Sequence, residues 1–228
     1  MELRVREAAR EGKGLRHVQT WVPYARISQH LKRAVLVAED DAFWDHEGVD
    51  LEQIRQSIEV NMERGRAVRG ASTITQQLAK NLYLSPSRDP LRKLRELIIA
   101  RRLEAALTKV RILEIYLNVI EWGDGIWGVE GASRTYFGIP ASAIGPDQAA
   151  LLAGAIASPR RLNPARPSRG LLRRQAIIVG RMHTVALPAG AAPAPLAVAT
   201  PGTAAVPERS HEDPAQPAPA SVTDPPAP

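Results

Sequence analysis

The sequence predicts an all-α domain followed by a disordered tail. Through most of residues 27–182, apolar residues recur at intervals of three and four, the spacing of amphipathic helices. Helix-start signals precede several of these segments, and no segment shows the alternation of a half-buried strand. With 228 residues, the chain is long enough for one domain with a sizeable core.

Three local signals mark the starts of predicted helices. Ser28 is a candidate N-cap, Thr73 and Gln76 fit a capping box, and Asp89 precedes a proline at a first helical position. The predicted helices cover residues 27–38, 51–62, 74–84, 90–107, 110–120, 129–136, 146–156 and 168–182. A polar approach (residues 1–20), a basic loop (63–69) and a glycine-rich turn (122–128) lie outside them.

The helix predicted from Pro90 carries an apolar row and a charged row. Arg92 and Lys93 lie four and three residues before Glu96, so the three side chains share one face. Three apolar side chains are expected to be buried along it: Leu91, Leu94 and Ile98. In the helix at 129–136, Gly131 is expected to weaken its turn by roughly 1 kcal/mol relative to alanine.

The last segment differs in composition from the rest. Residues 185–228 hold 11 of the 19 prolines, among many alanines. Such a segment buries too little apolar surface to offset the entropy of ordering it. We therefore predict a folded domain at residues 1–184 and a disordered Ala/Pro-rich tail at 185–228.

Charge and cysteine content limit the kinds of partner and chemistry that fit this chain. Residues 1–184 carry 29 basic and 20 acidic residues, a balance that suits phosphate groups, nucleic acid or an acidic membrane surface. Aromatic residues make up only 4% of the chain and no nucleic-acid-binding signature is present, so nucleic acid is not a predicted partner. The absence of cysteine excludes disulfide and thiolate chemistry and argues against a zinc site.

The candidate chemistry centres on residues 38–50, AEDDAFWDHEGVD. Glu39 and Asp40 close an apolar helix, and Phe43 follows them. Burial of a carboxyl group beside apolar and aromatic side chains raises its pKa, which suits a general base or acid near neutral pH. The alternative is an acid that caps a surface turn beside ordinary core aromatics.

Two motifs and two further blocks carry a family resemblance. The pattern E-D-x-x-F-x-x-H-x-G is present, and so is G-x-S-T-I-T-Q-Q; they are followed by RKLRE at 92–96 and ILEIYLN at 112–118. The matching positions are Glu39, Asp40, Phe43, His46 and Gly48 in the first motif, and Gly70, Ser72, Thr73, Ile74, Thr75, Gln76 and Gln77 in the second. Together they resemble the family-51 glycosyltransferase domain of peptidoglycan polymerases, over residues 21–182.

The resemblance implies a fold and a reaction. It implies a lysozyme-like helical domain with a smaller lobe that faces the membrane. It also implies polymerisation of lipid II into β-1,4 glycan strands, with inversion at the donor anomeric carbon and release of polyprenyl pyrophosphate. Residues 118–138 are similar to the monofunctional biosynthetic enzymes, and the transpeptidase motifs S-x-x-K and K-T-G of the bifunctional enzymes are not found in the sequence.

The resemblance also assigns roles to residues. Glu39 matches the general base, and Glu96 matches a second essential acid that orients nearby cations or a metal ion. The implied substrate-binding residues are Asp40, Phe43, His46, Ser72, Thr73, Gln76, Gln77, Lys80, Asn81, Arg88, Arg92 and Lys93. Purely structural alternatives stay open: Glu96 in a surface salt bridge, His46 as a hydrogen-bonded loop residue, and Ser72 and Thr73 as helix caps.

Cofactor, partners and location follow from the same resemblance. A divalent cation, Mg²⁺ or Mn²⁺, is expected to share the charge of the pyrophosphate, although the sequence shows no dedicated metal ligands. Expected partners are lipid II, the growing strand, the membrane surface and other cell-wall synthesis proteins. The expected location is the periplasmic face of the bacterial inner membrane. No apolar run of about 18 residues and no signal-peptide core occur, so we expect an N-terminal anchor to be missing from this chain.

Two other functions fit parts of the sequence. A lytic, lysozyme-like enzyme shares a helical lobe and a catalytic glutamate, but it has no need of the second motif or of Arg88, Arg92 and Lys93. A non-catalytic cell-wall scaffold would use only the basic surface.

Overall fold

A computed structural model of the protein describes residues 17–65, 71–84 and 90–188. Within them lie eight α-helices: α1 (Gln29–Glu39), α2 (Leu51–Glu63), α3 (Ile74–Tyr83), α4 (Pro90–Ala106), α5 (Lys109–Val119), α6 (Val129–Phe137), α7 (Pro146–Ala155) and α8 (Arg169–Arg181). The predicted all-α class is confirmed. Most of the predicted tail, part of the basic loop, Gly70, Arg88 and Asp89 lie outside the described residues.

The helix starts follow the local signals in the sequence. Ser28 is the N-cap of α1, and its Oγ accepts a hydrogen bond from the backbone N–H of His30. Thr73 is the N-cap of α3, and its Oγ1 accepts from the N–H of Gln76. The other half of the predicted capping box is not formed, because the Gln76 side chain turns to Lys93 instead.

A small sheet is present where no strand was predicted. It contains β1 (Val18–Gln19), β2 (Glu121–Gly123) and β3 (Ile126–Trp127), in the order β1-β3-β2. β1 runs parallel to β3, and β2 runs antiparallel to it. The expectation of no strands was therefore wrong in this detail, since strands of two or three residues are too short to show an alternating pattern.

Gly131 lies where α6 packs against this sheet. A Cβ atom at this position would lie 3.2 Å from the carbonyl oxygen of Val18 and 3.3 Å from its Cγ1. The absence of a side chain lets α6 pack closely on β1, which explains a glycine within a helix.

The core lies between α1, α5 and α7. Leu31, Val35 and Leu36 of α1 are fully buried, as are Leu117 of α5 and Leu152 of α7. α7 packs against α1 on one side and α8 on the other. This packing holds the C-terminal end of α1, where Glu39 lies, against the rest of the helical domain.

Two buried side chains of α5 hold the segment that leads into α1. Asn118 accepts a hydrogen bond from the N–H of Val22 and donates to the carbonyl oxygens of Val22 and Glu114, at 2.8–2.9 Å. Glu114 accepts a hydrogen bond from the N–H of Tyr24. The bonds to Val22 and Tyr24 join residues 96 and 90 positions apart and satisfy backbone groups that would otherwise be buried without partners.

The apolar row of α4 does not enter the core. The prediction that Leu91, Leu94 and Ile98 are buried was wrong, since they are 58%, 54% and 46% exposed. Periodicity shows which residues share a face of a helix, but not what covers that face. α2 has a similar row of exposed apolar side chains: Leu51, Ile58 and Met62. No helix in the described part of the chain is long and apolar enough to span a membrane.

Candidate active site

Glu39 is the last residue of α1, and its side chain is 12% exposed. Its Oε2 accepts a hydrogen bond from Nε2 of Gln77 at 2.9 Å, and its Oε1 lies 3.8 Å from Nη2 of Arg174. Burial raises the pKa of Glu39 and the neighbouring Asp40 charge adds to this, while Gln77 and Arg174 partly oppose it. The net effect is a pKa raised above the usual value of a glutamate.

Asp40 is buried, and its carboxylate is occupied by protein groups. It accepts hydrogen bonds from the N–H of Ile74, in the first turn of α3, and from Nε2 of His46. Nδ1 of His46 accepts from the N–H of Gly48, so the imidazole carries its proton on Nε2. Asp40 and His46 therefore tie residues 40–48 to α3, and their assignment as substrate-binding residues finds no support in these contacts.

Gly48 holds the loop of residues 40–48 close to the start of α3 and to α4. It adopts a φ of +83°, which favours glycine, and its carbonyl oxygen accepts a hydrogen bond from Oγ1 of Thr73. A Cβ atom at this position would lie 3.3 Å from the carbonyl oxygen of Ala100. Thr73 is fully buried, which gives it the structural role of cap and loop anchor.

Phe43 belongs to the core and not to an open binding surface. Its ring is fully buried, packs edge-on to Trp44 and lies 4.5 Å from Nζ of Lys109. The ring has no exposed surface in this structure, and the predicted contact between Phe43 and substrate stays a prediction. Its ring contributes to the apolar surroundings of the 40–48 loop.

Gln77 connects Glu39 to the interior of the protein. Its Nε2 donates to Glu39 and lies 3.4 Å from the carbonyl oxygen of Ser72, while its Oε1 accepts a hydrogen bond from the hydroxyl of Tyr116 at 2.8 Å. Both Nε2 and Oε1 of the amide therefore have hydrogen-bond partners within the candidate site.

Glu96 lies in a second group of polar side chains, on α4. Its side chain is 3% exposed, forms a salt bridge with Nζ of Lys93 and lies 3.6 Å from Nη1 of Arg92. Lys93 also donates to Oγ of Ser72 and Oε1 of Gln76, both at 3.3 Å. Because Glu96 is buried, it does not fit the simple surface salt bridge that was its alternative reading.

Two N–H donors beside Glu96 make no hydrogen bond within the described part of the chain. They are Nε2 of Gln76 and Nε of Arg92, while Nη1 of Arg92 has only the Glu96 carboxylate near it, at 3.6 Å. Buried donors without partners carry a desolvation cost that a bound acceptor would remove. With the ammonium group of Lys93, whose side chain is about half exposed, they form a set of donors suited to an anion.

The structure thus joins two groups of predicted residues through Ser72. The backbone oxygen of Ser72 lies 3.4 Å from Nε2 of Gln77, which donates to Glu39, and its hydroxyl lies 3.3 Å from Nζ of Lys93, which pairs with Glu96. Two other predicted residues, Lys80 and Asn81, lie on the exposed side of α3, one turn further along. The predicted Arg88 lies outside the described residues.

Two neighbours of Glu39 escaped the sequence analysis. Tyr116 lies within a block that was recognised only as a family match, and Arg174 lies in the last helix. Neither has a local signal that connects it to Glu39, because both approach through tertiary packing. Only the fold could reveal them.

The residues that the structure describes do not form a metal centre. The described part of the chain holds no group of three or more histidine or acidic side chains arranged around a common point. The Glu96 carboxylate is already paired with Lys93. No step of the chemistry is therefore assigned to a protein-bound metal.

The comparison with known protein families decides the assignment. A model of the transglycosylase family, described as "Transglycosylase", matches residues 7–183. The chain belongs to the transglycosylase family. The match includes every residue of the candidate site from Glu39 to Arg174, and it confirms the predicted family.

Individual transglycosylases resemble the chain over most of their length. A biosynthetic peptidoglycan transglycosylase of Dechloromonas aromatica is 48% identical over 188 residues, 82% of this chain and 81% of the relative. One of Aromatoleum aromaticum is 56% identical over 163 residues (71% and 70%). One of Laribacter hongkongensis is 52% identical over 168 residues (74% of each). The predicted similarity to biosynthetic transglycosylases is thereby confirmed.

Proposed function

We propose that this transglycosylase polymerises lipid II into β-1,4 glycan strands, with inversion at the donor anomeric carbon and release of polyprenyl pyrophosphate. One observation carries the proposal beyond the family assignment. A buried carboxylate with a raised pKa, Glu39, is joined through Gln77 and Ser72 to a partly buried set of cationic and N–H donors. Inverting transfer needs a base at the attacking oxygen and charge stabilisation at the leaving group.

Glu39 supplies the base. The 4-hydroxyl of the acceptor sugar loses its proton to the Glu39 carboxylate while its oxygen forms a bond to the donor anomeric carbon. The bond from that carbon to the pyrophosphate oxygen breaks, and its electron pair leaves with the pyrophosphate. The raised pKa supports this role, because proton transfer is most effective when the pKa of the base lies near the operating pH.

The donors around Glu96 stabilise the leaving group. Departure of a pyrophosphate builds negative charge on its oxygens, which Lys93, Arg92 and the amide of Gln76 are suited to meet. Glu96 holds Lys93 and faces Arg92 in a buried setting, so it orients the cations. The Asp40, His46 and Thr73 contacts fix the loop and the helix that present these groups.

The requirement for a divalent cation stays a prediction. Since the described residues form no metal cage, such an ion would be bound mainly by the substrate's own phosphate oxygens. Addition of EDTA is expected to lower the rate of polymerisation, and Mg²⁺ or Mn²⁺ is expected to restore it. An unchanged rate in EDTA would mean that the protein cations alone stabilise the charge of the pyrophosphate leaving group.

The exposed apolar rows of α2 and α4 support membrane contact. Beside them, a cavity of about 520 Å³ is lined by Leu51 on α2 and by Leu97 and Ile98 on α4. Transfer of an apolar surface of this kind from water to the lipid interface lowers the free energy. Together with the lipid substrate, it supports a location at the periplasmic face of the inner membrane, where other cell-wall synthesis proteins would be the neighbours.

Vesicle flotation tests this contact. Replacing Ile58, Met62 and Leu94 together with serine is expected to weaken binding to anionic phospholipid vesicles roughly tenfold. The matched control replaces Leu172 and Ile177 of α8, which are also exposed, and is expected to bind like the wild type. Equal binding by all three proteins would remove the membrane role of α2 and α4.

The test of the catalytic proposal uses labelled lipid II. Incubation with the purified chain is expected to yield a ladder of glycan strands on a gel. If no ladder forms, preformed glycan is the next substrate. Its digestion would identify a lytic enzyme, and the absence of both activities would favour a non-catalytic cell-wall scaffold.

A further inference from the structure

Tyr116 is a fully buried residue of α5 that the proposed chemistry does not use directly. Its hydroxyl group lies 2.8 Å from Oε1 of Gln77, on the side of the amide away from Glu39. Burial raises the pKa of Tyr116 well above its usual value, and the charges of Glu39 and Asp40 raise it further. The hydroxyl group therefore stays protonated and available as a hydrogen-bond donor.

The contacts of Gln77 allow only one orientation of its amide. Two acceptors face one end, Oε2 of Glu39 at 2.9 Å and the carbonyl oxygen of Ser72 at 3.4 Å. The donor hydroxyl of Tyr116 faces the other end. A rotated amide would place its oxygen against the ionised carboxylate of Glu39, so the pattern of donors and acceptors specifies the observed orientation.

We propose that Tyr116 is a positioning residue, which holds the Gln77 amide so that its Nε2 donates to Glu39 and keeps one carboxylate oxygen fixed. The inference rests on the proposed role of Glu39 as the base. It assigns Tyr116 no contact with the substrate. Through this chain of two hydrogen bonds, α5 controls the orientation and the basicity of a carboxylate on α1.

The consequence is a change in pH dependence when the hydroxyl group is removed. In Tyr116→Phe the ring still fills its place, but Oε1 of Gln77 loses its donor and the amide is held less firmly against Glu39. Weaker donation to Glu39 removes an interaction that lowers its pKa, so that pKa rises. The other charged groups that face Glu39, Arg174 from α8 and the adjacent Asp40, are unchanged.

The experiment measures lipid II polymerisation by Tyr116→Phe as a function of pH. A base is active when ionised, so activity falls as the pH drops through its pKa. We expect this acid limb to move to higher pH by roughly half a unit, with kcat reduced and KM for lipid II unchanged. Tyr136→Phe is the matched control, because its hydroxyl group lies near the carbonyl oxygen of Trp122 instead.

A double-mutant cycle separates positioning from general destabilisation. In a Gln77→Ala background, Tyr116→Phe is expected to cause no further shift of the acid limb, because the connection to Glu39 is already broken. An unshifted limb in Tyr116→Phe, or an equal shift in the Gln77→Ala background, would overturn the proposal. If the wild-type chain makes no glycan, the proposed function fails instead, so the two failures are distinguishable.

Discussion

Replacing Glu39 with glutamine is expected to reduce lipid II polymerisation by roughly a thousandfold, the typical contribution of a general base. The amide keeps the size of the side chain but cannot take the acceptor proton. Glycan ladders quantified against time provide the measurement. Glu121→Gln is the matched control, because Glu121 is also 12% exposed and pairs with an arginine, Arg160; it is expected to polymerise like the wild type.

The same substitution separates catalysis from stability. A carboxyl group whose folded-state pKa is raised lowers the stability of the folded protein above that pKa, where it is ionised, and this cost disappears below the unfolded-state pKa. Glu39→Gln removes this cost and is therefore expected to unfold at or slightly above the wild-type temperature at neutral pH. A large fall in melting temperature would make Glu39 a structural residue.

Replacing Asn118 with alanine is expected to lower the free energy of unfolding by about 3 kcal/mol. The change removes three buried hydrogen bonds and leaves the N–H and carbonyl groups of Val22 without their side-chain partner. For a domain of this size the melting temperature should fall by roughly 10 °C. Thermal unfolding followed by circular dichroism provides the measurement.

Asn163→Ala is the matched control for this prediction. Asn163 also accepts backbone hydrogen bonds, from Ala165 and Arg166, but in an exposed loop where water can replace it. Its loss is expected to cost well under 1 kcal/mol. Equal effects of the two substitutions would contradict a structural role for Asn118 in anchoring the segment before α1.

The helices were predictable because their signals are local. Ser28, Thr73 and Pro90 mark starts within a few residues, and α3 and α4 begin where these residues predict. The sheet was missed because its strands are too short for a pattern. The exposed row on α4 was misjudged because an apolar stripe has the same spacing whether protein, lipid or water covers it.

The candidate site was predictable only as a set of residue types. Glu39 and Glu96 were recognisable from an acid after an apolar helix and from a family motif. Their distinct surroundings were not, because Gln77 and Arg174 reach Glu39 from two other helices and Tyr116 reaches Gln77 from a third. The buried contacts of Asp40 with Ile74 and His46 also required the fold, since adjacent acids look alike in sequence.

The packing of α1 has a consequence for biosynthesis. Glu39 is synthesised early, but α7, which packs on α1, and Arg174, which faces the carboxylate, follow near the end of the described chain. Contacts so distant in sequence form only when nearly all of the domain has left the ribosome or the export channel. A nascent or prematurely terminated chain would thus hold the glutamate without its surroundings, so polymerase activity is coupled to completion of the domain.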